Sequence, residues 1–395
     1  MFKNNIHISS VLLFIIIFFL TIFSGEVNDY RLYLKMWEVS NSGASPWATE
    51  FNGVSIRNSS YGPLHSVIGL FAKISSIFPK ILFAISGFII FLILVNAKKA
   101  HTKNFKTKDL LLVLLIYPLF PLTIITSYIY GINDSIVALI VIMACESRRQ
   151  ENMIATGSLL GFAALLKFYP ILFLIFFALS DKRGISFRCI LSGILFFCLG
   201  MFFAYLVWGT EIFKPLIFGA DRGPKLLSII KFLDYLNIYI DSQVYQNFIN
   251  ILINKNTLFM LGFILLVFLH GYMAEIEWEY VALVGVLVIF ITYKVGHPQF
   301  FISWTVLLAW VITSTSPGSK KNLFAWRLTP IAIYLGLFHS LYFISGLIDD
   351  GHLRNDWQIV RDIGSLPFLI VVIVCMILNK DFFKKPWKKK EKLLF

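Results

Sequence analysis

Apolar runs of nearly bilayer-spanning length recur from one end of the chain to the other, and no other feature limits the fold so tightly. A helix needs about twenty apolar residues to cross the hydrocarbon core, because in lipid every backbone N–H and C=O must find its partner inside the protein. Such runs fall at residues 8–23, 80–97, 110–128, 133–145, 153–166, 168–180, 187–207, 257–274, 280–295, 299–314, 327–347 and 366–379. They predict an all-α, polytopic membrane protein of about twelve transmembrane helices, some short enough to be tilted or broken. Only 14% of the residues are charged, against about 25% in a soluble domain, so a water-soluble fold is excluded.

The formal charge of +13 would suggest nucleic acid in a soluble protein. Here the basic residues sit in short blocks between apolar runs, as orientation signals do, so membrane lipids are the expected partners and nucleic acid is not. Residues 63–78 decide the topology. Placed in the membrane plane as an amphipathic interfacial helix, with His65 and Lys73 on its wet side, this segment puts all the later blocks inside: Lys98, Lys99, Lys103, Lys106 and Lys108; Arg148 and Arg149; Lys182, Arg183 and Arg188; Lys320, Lys321 and Arg327; and the lysines from Lys380 onward. Both termini are then cytoplasmic. The exception is the acidic turn Glu275, Glu277, Glu279, although acids weigh little in this rule.

The expected organisation is a single integral-membrane domain over residues 1–395. It carries a first outer loop with the interfacial helix (24–79), a second large outer loop (208–256) and a basic cytoplasmic tail (380–395). The first run resembles a signal peptide but lacks a small-x-small cleavage pattern and is expected to stay as a helix. Cys145, Cys189, Cys198 and Cys375 lie in or beside apolar runs, which argues against a disulfide framework.

With that orientation the unusual polar residues gather on the outer face. They are Glu26, Asp29 and Tyr30 after the first run, Tyr61 in Tyr61-Gly62-Pro63, Asn133 and Asp134, Lys167 and Tyr169 in Lys167-Phe168-Tyr169-Pro170, Arg222 in the second loop, and Lys294, His297 and Gln299. An ionisable group beside a spanning helix is costly and is a functional candidate by default. Lys167 has no acidic neighbour within ten residues, and its ammonium suits a lipid-linked phosphate or a snorkelling anchor. His297 suits a phosphate or sugar contact or a structural hydrogen bond. Glu26 and Asp29, spaced i, i+3, would share a face in a helical turn as acid and base, as a metal pair or as solvated charges. No zinc spacing, phosphate-binding loop or dinucleotide fingerprint is present, which disfavours a nucleotide-sugar as direct substrate.

Asp29-Tyr30 in a long first outer loop, Tyr61-Gly62-Pro63, Gly131-Ile132-Asn133-Asp134, Lys167-Phe168-Tyr169-Pro170 and His297-Pro298-Gln299-Phe300 before Trp304 together resemble the GT-C superfamily of integral-membrane glycosyltransferases. Within it, the chain is similar to the bacterial polyprenol-phosphate-mannose-dependent mannosyltransferases. The resemblance implies an inner (plasma) membrane enzyme whose active site faces outward, with a polyprenyl-phosphate sugar as donor and a lipid-linked or envelope glycan or glycolipid as acceptor. It also implies Asp29 as general base and Lys167, His297 and Lys294 at the donor phosphate. Glu26, Tyr30, Tyr61, Asn133, Asp134, Tyr169, Gln299 and Arg222 would contact substrate. No cofactor is implied, and with no Asp-x-Asp pair in the first loop no obligatory metal is expected. Two rivals are an O-antigen-type polymerase or ligase, which would use outward arginines, and a lipid or sugar transporter or flippase, which would show symmetric halves with mid-helix charges.

Overall fold

The structure is a computed structural model that describes residues 2–26, 29–48, 50–51, 54–55, 60–102, 104–180, 184–348 and 363–384. Lys103, Lys182, Arg183, part of the first loop and the tail from 385 on lie outside the described residues. The chain is overwhelmingly helical, and its strands are two-residue pairs. It divides into two compact units, Met1–Leu174 with Arg188–Asp221, and Ile175–Phe187 with Arg222–Phe395.

Among the described residues four helices are long and apolar enough to cross a membrane: Phe78–His101, Phe187–Gly219, Asn256–Met273 and Lys320–Ile344. A fifth crossing is possible as a bent pair, Thr107–Ile116 with Pro121–Ile129, turned by 53°. The run expected at 110–128 breaks there because Pro118 and Pro121 each remove a backbone N–H that a continuous helix would use. Shorter apolar helices occupy Ser10–Phe23, Met153–Ala164, Trp278–Thr292, Pro298–Ser314 and Ser365–Leu378. The run expected as a helix over 168–180 is instead a tight turn at Tyr169–Phe173, one helical turn at Leu174–Phe177 and the strand Leu179–Ser180. Pro170, at the first turn, starts this break.

In the first unit the loop after Phe2–Phe23 is itself ordered by a helix, Asp29–Asn41, whose Tyr30, Tyr33, Met36 and Trp37 are buried. Pro63–Ile68 and the 3-10 turn Gly69–Lys73 follow. The expected wet side of this segment is half corrected: Lys73 is exposed, but His65 is fully enclosed. The Trp37 indole donates to the His65 carbonyl, and the His65 ring lies against Tyr33, Trp37 and Tyr61. Phe187–Gly219 is only 11% buried, as a lipid-facing span requires.

The second unit is built around Trp278–Thr292 and Ile302–Ser314; the second of these is buried along its whole length. The stretch expected as a large loop over 208–256 is largely helical, with Lys214–Asp221 in the first unit and Ile229–Leu236 and Gln243–Asn254 in the second. The acidic turn that broke the orientation pattern finds its counter-charge locally. Lys321 pairs with Glu277 and, at 2.8 Å, with Glu279.

Candidate functional site

In the first unit the polar cluster is assembled by backbone docking. The helix Met153–Ala164 ends with carbonyls that have no intrahelical partner, and Tyr61-Gly62-Pro63-Leu64 supplies donors. Gly62 N–H reaches the Leu166 carbonyl at 2.9 Å and Leu64 N–H the Leu165 carbonyl at 3.0 Å. Tyr61 is thereby set beside Lys167, whose ammonium sits 5.2 Å from the centre of the Tyr61 ring.

Lys167 lacks an acidic neighbour only along the chain. In the fold it forms an ion pair with Asp134, the residue that opens the helix Asp134–Arg149; both are buried, at 4% and 0% exposure. Tyr169 donates its hydroxyl to the other Asp134 oxygen at 3.2 Å. The neighbouring Asn133 faces a different set of partners. Its amide nitrogen lies 3.2 Å from His65 Nδ1, and its Oδ1 lies 3.4 Å from the Tyr33 hydroxyl, which is also 3.1 Å from the Tyr61 hydroxyl. Because an amide NH₂ can only donate, His65 Nδ1 accepts and a neutral ring carries its proton on Nε2. That Nε2 is buried with no partner among the described residues. Burial, followed by the charge of Lys167, pushes the His65 pKa down to about 3. The Tyr33 hydroxyl is held well above its ordinary range by burial, then by Tyr61, then by the carboxylates of Asp29 and Asp134.

Asp29 therefore lies within electrostatic reach of this cluster, one helical turn before Tyr33. It is half-buried, as are Tyr61 and Tyr169, whereas Tyr33, His65, Asn133, Asp134 and Lys167 are enclosed beneath. Glu26 is exposed in a bend before the helix begins. The intervening Val27 and Asn28, on which its expected helical i, i+3 pairing with Asp29 depends, lie outside the described residues. Tyr30 is fully buried, with its hydroxyl donated to the Ser76 carbonyl; it leaves no surface for a substrate in this conformation.

In the second unit Lys294, His297 and Gln299 occupy the break between Trp278–Thr292 and Ile302–Ser314, and a segment carrying Arg222 is strapped to it. Lys225–Leu226 pairs in parallel with Val295–Gly296. Gly296 is required by this contact: a Cβ there would meet the Ser228 amide nitrogen at 2.5 Å. Asn256 closes the other side, accepting from Lys294 N–H at 2.9 Å and donating to the Thr292 carbonyl at 2.6 Å. Arg222, half-buried, places a guanidinium nitrogen 2.9 Å from His297 Nε2. A guanidinium can only donate, so His297 accepts as a neutral imidazole. Lys294 is 6% exposed, and Gln299 is half-buried in the turn Pro298–Phe301.

Two members of the first cluster were not expected as site residues: Tyr33, which no motif singles out, and His65, expected on the wet side of an interfacial helix.

A search of curated proteins returns no match. A family model, glycosyltransferase family 87, matches residues 61–314, a range that contains Tyr61, Asn133, Asp134, Lys167, Tyr169, Arg222, Lys294, His297 and Gln299 and leaves Asp29 before its start. Apolar helices that can cross a bilayer, polar clusters at their breaks and a match over most of the chain lead to one assignment: this membrane protein belongs to glycosyltransferase family 87.

Proposed function

We propose that the protein is an inverting, polyprenyl-phosphate-sugar-dependent hexosyltransferase of the GT-C type, acting at the outer face of the plasma membrane with both termini cytoplasmic. Mannose is the sugar and a lipid-linked or envelope glycan the acceptor. The observation that carries this reading is the contrast between two carboxylates. Asp134 is enclosed and spent on Lys167 and Tyr169, whereas Asp29, half-buried at the start of its helix, remains within reach of a substrate.

In the proposed step an acceptor hydroxyl gives its proton to the Asp29 carboxylate as its oxygen attacks the anomeric carbon. The new C–O bond forms opposite the phosphate, the anomeric C–O bond breaks, and the electron pair leaves on the polyprenyl phosphate. General-base assistance and stabilisation of the leaving charge are the two contributions this displacement needs. Within the second unit, Arg222, Lys294 and neutral His297 are donors of the chemical kind that suits a phosphate. Lys167 is reassigned from the phosphate to Asp134, since a phosphate would have to displace a buried carboxylate already in contact. Tyr61 and Tyr169 offer hydroxyl-bearing rings of the kind that bind sugars.

Asp29→Asn keeps the size of the side chain and removes the base. Transfer from a defined polyprenyl-phosphate hexose should fall about 10²- to 10⁴-fold, with membrane insertion and thermal stability unchanged. Turnover at the wild-type rate would remove Asp29 from the chemistry.

A further inference from the structure

The first unit holds a second buried lysine, and it is arranged unlike Lys167. Lys80, at the start of Phe78–His101, is fully enclosed. Its ammonium donates to the Ser24 hydroxyl and to the Gly25 carbonyl, each at 2.6 Å, and lies 5.8 Å from the centre of the Tyr30 ring. Its backbone N–H donates to the Tyr30 hydroxyl at 3.2 Å, and that hydroxyl donates onward to Ser76. Gly131, with φ +61°, packs so tightly on the lysine stem that a Cβ would collide with it. A lysine charge is costly to bury in this setting, where its hydrogen-bond acceptors are neutral oxygens and the Glu26 carboxylate acts on it only through space.

The geometry indicates what the charge does. Gly25, also at positive φ (+60°), is where the chain turns out of the first helix, and Tyr30 is the second residue of the next. Both ends of the short segment that carries Asp29 are thus held at one residue, the first by the Lys80 ammonium and the second by its backbone N–H together with the ammonium facing the Tyr30 ring. We propose that the Lys80 ammonium is a positioning group for Asp29: it fastens Ser24 and Gly25 on one flank and faces the Tyr30 ring on the other, and so fixes the direction of the carboxylate between them. The proposal rests on Asp29 as general base.

Lys80→Met keeps the stem against Gly131 and Tyr30 and removes the ammonium. Displacing a reacting group by about 1 Å can cost about 10²-fold. Turnover of the folded variant should therefore drop about 10- to 100-fold while KM for the polyprenyl-phosphate donor stays within about twofold. Lys80→Arg should recover part of the loss. Ser24→Ala, which removes one of the two acceptors and tests the idea should Lys80→Met fail to fold, should lower kcat about threefold. A readout independent of activity is the maleimide alkylation rate of Asp29→Cys in a Cys198→Ser background, which should rise when Lys80→Met is added. A purely structural lysine would lower thermal stability and leave kcat of the folded fraction and the alkylation rate at their starting values; either unchanged value overturns the proposal. Wild-type turnover in Asp29→Asn would instead strike the base assignment, and the alkylation rates would still report whether Lys80 holds the segment.

Discussion

Lys167 in the first unit and Arg222 in the second both sit at breaks between apolar helices, yet they are held in opposite ways. Lys167 is enclosed and its charge is cancelled by Asp134, which Tyr169 also binds. Arg222 is half-buried, and one guanidinium nitrogen donates to the neutral imidazole of His297. A cation enclosed with a buried carboxylate holds the fold together, whereas a half-buried one lies where an anionic ligand can reach it. The resemblance placed Lys167 at the donor phosphate and Arg222 among the substrate contacts, and burial now distinguishes them.

The sharpest way to break that contrast is to separate Lys167 from its acid. Asp134→Ala strands a buried ammonium, and removing one partner of a buried pair costs about 3–5 kcal/mol. Replacing both partners with apolar side chains, Asp134→Leu with Lys167→Met, should return stability to within about 1 kcal/mol of wild type, since apolar substitutes for buried pairs are often neutral. Unfolding in detergent micelles measures both. If Asp134→Ala alone costs less than about 1 kcal/mol, the pair is not structural and Lys167 returns to candidacy for the phosphate.

Arg222→Gln tests the other half. Its side chain is partly solvated, so unfolding should change by less than about 1 kcal/mol. A charge-assisted hydrogen bond to a phosphate is worth about 1.5–3 kcal/mol, so KM for the donor should rise about 10- to 100-fold. Donor KM at the wild-type value, with stability lost instead, would reverse the comparison.

How much of this was legible in the sequence follows from the range of each interaction. Hydropathy is local and periodic, so the apolar runs, the helix starting at Asp134 and the break at Lys167 could be read directly. Prolines are local too, but their consequence is graded: Pro118 and Pro121 bend a run that composition alone would pass as continuous. The partners were not legible. Asp134 meets Lys167 across 33 residues, Asn133 meets His65 across 68, and Lys80 meets Gly25 across 55. Nothing in a single chain marks such pairs before it folds. His65 shows the cost of arguing from a local pattern, because an amphipathic reading of residues 63–78 puts it in water, while three aromatic rings and Asn133 enclose it. Tyr33 was not singled out at all, because its partners Tyr61 and Asn133 lie 28 and 100 residues away along the chain. The strap of Lys225–Leu226 on Val295–Gly296 left one clue, a glycine inside Lys294-Val295-Gly296-His297.

The smallest expected effect concerns His65, the enclosed ring that accepts from Asn133. Its pKa is pushed down to about 3 in the folded protein, against about 6.5 when unfolded. Above pH 6.5 the ring is neutral in both states and contributes no pH dependence. As pH falls below 6.5 the unfolded chain takes up a proton that the folded one refuses, so stability declines through the window from about 6.5 to about 3. At pH 5.5 the loss is about 1.4 kcal/mol, the free energy of one pH unit. Other groups titrate in the same range, but His65→Gln retains an acceptor for Asn133 and removes only the imidazole. The difference between the two unfolding profiles therefore isolates the ring. Parallel profiles from pH 7 to pH 5 would mean that His65 is solvated or charged in the folded state, and the enclosed floor beneath Asp29, Tyr61 and Tyr169 would be open to water.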